Sequence, residues 1–143
     1  MLDTAEVRKQ LTHRLAELRK SQTQRRAATD AARTAFDTVA EREIAPTVRQ
    51  LAQALKAEGF PFTVQTPSGV VRLVSDRSSE NVIDIVLELG GKQPAVVVRS
   101  AYSRGRRQLE DERTLAEGNA IATLDADRVL AVLLDLLEPF VER

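Results

Sequence analysis

The chain predicts an α+β fold, and three observations predict it. Residues 3–58 hold no glycine and one proline, Pro46, and are rich in Ala, Leu, Arg, Glu, Gln and Lys, which are strong helix formers. Past Gly59 the apolar period changes from 3.6 residues to 2. The last apolar stretch returns to helical spacing. Helix, antiparallel strands and helix in that order make a layered α+β structure. A length of 143 residues fits a single domain, 1–143.

The N-terminal helix starts on a capping signal. Asp3 or Thr4 can cap it, and Glu6 follows Asp3 at capping-box spacing. Gly59 and Pro61 stop it. At 1.5 Å per residue the span is about 80 Å long. Pro46 removes one backbone hydrogen bond, so a kink or short break is expected near residues 43–46. In the second half Phe36, Val39, Ala40, Ile44, Val48, Leu51, Ala52 and Leu55 form an apolar stripe suited to lie on a sheet. In the first half only Val7, Leu11, Leu15 and Leu18 do so, and Gln22, Arg25, Arg26 and Thr29 then replace them. Residues 8–33 carry eight basic side chains against Glu17 and Asp30. Residues 1–27 therefore read as a projecting or loosely docked helical arm.

Four strands are expected next, at residues 62–66, 70–75, 82–89 and 95–101. Short connections, Pro67-Ser68-Gly69 and Gly90 to Pro94 among them, make an antiparallel meander. Residues 76–81 read as a polar loop, and residues 102–119 as a basic, flexible stretch followed by charged sequence of little periodicity. Asp125 caps a final helix that runs to about Glu142. Val129, Leu130, Val132, Leu133, Leu134, Leu136, Leu137, Phe140 and Val141 cover more than one stripe, so this helix is expected to pack on the sheet or at an interface, with the N-terminal helix or another subunit as its second cover.

Composition narrows the chemistry. Lys plus Arg number 21 and Asp plus Glu number 21, which gives no bulk attraction to nucleic acid or anionic lipid. The absence of cysteine excludes disulfides, thiol catalysis and cysteine-ligated metals. Four Phe, one Tyr and no Trp leave few faces for base or sugar stacking. The first residues lack a signal-peptide pattern, and no apolar run approaches the roughly 20 residues that span a bilayer. A cytoplasmic protein that does not engage membranes is expected.

Constellations that could carry catalysis are weak. His13, the single histidine, has no orienting carboxylate or second ligand implied by its surroundings in sequence. Asp84 and Glu88, with Lys92 after them, are the residue types of a metal-dependent nuclease site. On a strand they share a face but stand about 13 Å apart, too far for one ion. Glu110, Asp111 and Glu112 fit charge pairing with Arg106, Arg107 and Arg113 better than cation binding. Gly90-Gly91 lacks the Lys-Ser/Thr and helix start of a phosphate loop. No catalytic residue, cofactor or metal ligand is assigned.

Two interaction features stand out. Arg99, Arg104, Arg106 and Arg107, with no acid among them, form a candidate anion or nucleic-acid site, and Tyr102 offers an aromatic face beside it. The apolar residues Leu130, Leu134 and Leu137 of the last helix, and Val7, Leu11, Leu15 and Leu18 of the arm, are candidates for an interface. The expected function is a non-enzymatic, self-associating interaction module, a homodimer by preference, with another protein as a possible partner. Nucleic-acid or nucleotide binding through the arginine-rich segment and basic helix is the alternative, and a divergent metal-dependent nuclease the remote one.

Overall fold

The computed structural model describes residues 1–142. Helix α1 (Thr4–Val39) runs through a π-turn (Ala40–Ile44) into α2 (Ala45–Ala57) without a gap. Strands β1 (Phe62–Gln65), β2 (Val70–Ser75), β3 (Ser78–Glu88), β4 (Ala95–Arg104) and β5 (Arg107–Glu117) form one antiparallel sheet in sequential order. A 3₁₀ segment (Gly118–Thr123) leads to α3 (Ala126–Val141).

Both expected N-caps form. The Asp3 carboxylate accepts from the Glu6 N–H at 2.8 Å and Asp125 from the Arg128 N–H at 2.9 Å. Gly59, at φ +93°, ends α2 with the Gly59 N–H on the Lys56 carbonyl and the Phe60 N–H on the Leu55 carbonyl. These are the two bonds of a Schellman motif, which needs a left-handed residue at this place.

Pro46 does not break the helix. The disturbance lies just before it, where the Ala45 N–H reaches back five residues to the Ala40 carbonyl. Phe36, Ala40, Ile44 and Val48 follow one another at intervals of four. Over twelve residues at about 100° each, such a row would walk round an α-helix by about 120°. A π-turn takes more residues per turn and absorbs part of that rotation, so Phe36, Ile44 and Val48 all reach the core. The Thr47 hydroxyl donates to the Glu43 carbonyl at 2.6 Å, inside the same irregular turn.

The sheet has five strands, one more than the sequence pattern suggested. β5 is an edge strand that exposes most of its side chains, so its alternation of apolar and polar residues is faint. Residues 102–104 extend β4, and Gly105 at φ +65° opens the two-residue turn into β5. Positive φ at the first turn position suits the right-handed twist of a hairpin. Residues 78–81, expected in a loop, begin β3. Val74 pairs with Val82 and Ser75 with Ser78, which leaves residues 79–81 bulged out of the β2–β3 ladder.

One sheet face carries the core. Leu73, Ile83, Ile85, Val96 and Val98 pack there beneath α2, α3 and the last turns of α1. Along α1 only Ala32, Phe36 and Val39 are buried, and every residue from Met1 to Ala28 is exposed.

Candidate interaction surfaces

Among the described residues no helix covers the sheet's other face. Arg72, Asp84, Arg99 and Glu112 are register partners on β2, β3, β4 and β5, and make one row of alternating charge across the sheet. Arg72 grips Asp84 with two hydrogen bonds, Nε to Oδ1 at 2.7 Å and Nη2 to Oδ2 at 3.1 Å. Arg99 donates Nε to Glu112 at 2.9 Å and its Nη2 to Glu88. Opposite charges directly across strands stabilise the pairing. The hydrogen bond to Asp84 raises the Arg72 pKa above its ordinary value, and the bond to Glu112 raises that of Arg99 against the opposing effect of burial. A depression of about 420 Å³ lies here, bordered by Asp84, Arg99, Glu110, Asp111 and Glu112.

This placement divides the arginine cluster. Arg99 sits in the middle of β4 between two carboxylates. Arg104 donates to Glu142 just beyond α3. Arg106 and Arg107 lie at the exposed β4–β5 turn and, among the described residues, make no ion pair. The Tyr102 ring is packed 5.5 Å from Phe140, which lies 6.3 Å from Phe62. It belongs to a small aromatic cluster at the end of α3. Asp84 and Glu88 are each tied to an arginine, and the described residues contain no group of three carboxylates or histidines placed to hold a metal. His13 does have a carboxylate beside it. Glu17, one turn on, approaches Nε2 at 3.2 Å, and both side chains are exposed.

The apolar candidates divide as well. Leu137 is buried in the core and is not available to a partner. Leu130 and Leu134 are 37% and 52% exposed on the outer face of α3. Val7, Leu11, Leu15 and Leu18 are 49%, 56%, 41% and 50% exposed. They lie on the side of α1 that bears Phe36 and Val39, and so continue the core-facing stripe beyond the end of the core. A cleft of about 760 Å³ separates Ser21, Gln24, Arg25, Ala28 and Thr29 from the β3–β4 connection, residues 89–94. The four apolar residues lie farther out.

One residue that the sequence pattern does not single out helps place α3. Glu43, in the π-turn, accepts the Ala126 N–H at 3.2 Å. It joins Asp125 in satisfying the first turn of that helix. A cap supplied from 83 positions away leaves no local signature.

No protein-family model matches the chain, and neither a curated protein nor a solved structure shows significant similarity to it. None of the helices described is long and apolar enough to cross a membrane.

Proposed function

We propose that this chain is a non-enzymatic, self-associating interaction module. The carrying observation is the row Val7, Leu11, Leu15 and Leu18, held in water on a helix that overhangs its own body. The helix under this row continues unbroken into the body, so the row is held in place for a partner rather than buried by its own chain. Exposed apolar rows rimmed by charge mark interfaces. Light scattering on the purified protein at tens of micromolar should give twice the chain mass. Leu11→Glu with Leu15→Glu should return it to the monomer with unchanged helical signal in the body. A wild-type monomer at those concentrations overturns the reading.

Polyanion binding is a second reading, favoured by the eight basic residues in 8–33 and by Arg106 and Arg107 at the hairpin turn. Such contacts would be weak and steeply salt-dependent. A mobility shift with duplex and single-stranded oligonucleotides at low salt, lost in Arg106→Ala/Arg107→Ala or in a chain lacking residues 1–20, would support it.

A further inference from the structure

We infer that the arm of one copy lies along the outer face of α3 of a second copy, and that the exchange is reciprocal. The inference rests on the self-association proposed above and names its contact. At about 100° per residue, Val7, Leu11, Leu15 and Leu18 fall within a narrow sector of α1. Among residues 4–20 the charged side chains within about 80° of its centre are Arg8 and Arg19 on one side and Arg14 on the other. Glu6 and Glu17 fall toward the back. The apolar stripe is therefore bordered by arginine.

The outer face of α3 carries the opposite charge along one side. Leu130 and Leu134 share it with Asp127 and Glu138, and Asp135 lies farther round. Arg128, the basic residue of α3, turns aside and donates to the Thr114 carbonyl at 3.2 Å. Among the described residues Arg8, Arg14, Arg19, Asp127, Asp135 and Glu138 make no ion pair. The 16 residues of α3 extend about 24 Å, enough to lie alongside the row from Val7 to Leu18, which spans about 17 Å.

The two faces cannot meet within one molecule. α1 has no break between Thr4 and Val39, and Val7 stands about 44 Å along the helix from the anchoring Phe36. Two arms pairing with each other would bring six arginines to one seam. The arm and α3 supply both halves of a complementary surface, apolar row on apolar row and arginine beside carboxylate, and a second copy provides both at once. Reciprocal contact closes as a twofold dimer.

Charge reversal in mixed pairs tests the contact. Arg8→Glu/Arg14→Glu/Arg19→Glu in one chain, and Asp127→Lys/Glu138→Lys in another, should each weaken self-association by about tenfold or more. Mixed in equal amounts, the two should form a heterodimer, because both of its arm–α3 contacts become complementary again. A wild-type dimer that neither reversal weakens leaves self-association standing and overturns this contact. A wild-type monomer overturns both. Recovery that fails on mixing shows that the arm docks elsewhere, and mass that grows without limit overturns the reciprocal closure. Because the chain has no cysteine, a second readout is independent of charge. Leu15→Cys and Leu134→Cys chains, mixed and oxidised, should cross-link to each other in preference to themselves. Leu15→Cys chains that cross-link mainly to one another would establish arm–arm pairing instead.

Discussion

Arg99 and Arg107 lie on the same hairpin in different surroundings. The Arg99 guanidinium bridges Glu88 and Glu112, so removing it leaves two carboxylates facing one another on an open sheet. Exposed ion pairs contribute at most about 1 kcal/mol each, and this site is half exposed. Arg99→Ala should therefore lower stability to urea by about 1 kcal/mol, whereas Arg107→Ala should stay within about 0.5 kcal/mol. Equal effects would mean that the row of alternating charge contributes nothing. Glu43 invites a similar test. Its carboxylate meets the first N–H of α3, and losing a cap of this kind costs about 1 kcal/mol. Glu43→Ala should show that loss in the melting curve; a neutral result would assign the capping to Asp125 alone. Gly118 sits at φ +52°, where an added Cβ would come 2.7 Å from Gln93 Oε1, and Gly105 sits at φ +65° in open space. Both alanine variants carry backbone strain, and since the exposed Gln93 side chain can swing aside, each should cost about 1 kcal/mol in a urea melt.

Elements were legible in the sequence where their period was strong. The stripe from Phe36 to Leu55, the alternation in β3 and both aspartate caps each mark their element without help from the rest of the chain. β5 was not legible, because an edge strand made mostly of Arg, Glu, Asp and Gln, with water on much of its surface, has little apolar alternation to read. Charged edges of this kind also discourage pairing with another sheet. The π-turn could have been anticipated from the four-residue spacing of Phe36, Ala40, Ile44 and Val48, which no straight α-helix keeps on one face. The charge row could not be read without the strand register, so Arg99 looked like a member of a basic cluster. At this scale the arm is the least protected element. Its amides should exchange with solvent far faster than those of β3 at concentrations where the protein is monomeric, and removing residues 1–20 should leave the sheet and its cooperative melting intact. Exchange as slow as in β3 under those conditions would show that the arm packs on its own body.

The molecule as a whole separates its charge. The basic excess of residues 8–33 lies on the overhang, residues 59–124 hold eight acids and eight bases, and the largest block of balancing acid is on and around α3, although the sum is zero. Association that joins arm to α3 should weaken as salt rises, because exposed charge pairs are screened over about 8–10 Å at 0.1–0.15 M. A sedimentation series from low salt to 1 M should show the monomer gaining. Dimerisation that strengthens throughout would assign the seam to apolar contact alone.

The unbroken helix makes the arm a rigid rod whose direction and rotation are both fixed by the body. Residues 22–25 are exposed, so they can be shortened without emptying the core. Removing Gln22 and Thr23 would turn the leucine row by about 200°, to the far side of the rod, while retracting it by only about 3 Å. Removing all four residues would bring the row back to within about 40° of its first bearing, at the cost of about 6 Å of reach. If the rod must present its row at a fixed bearing, the smaller deletion does the greater harm to dimerisation. A flexible tether would rank the two deletions by length, in the opposite order.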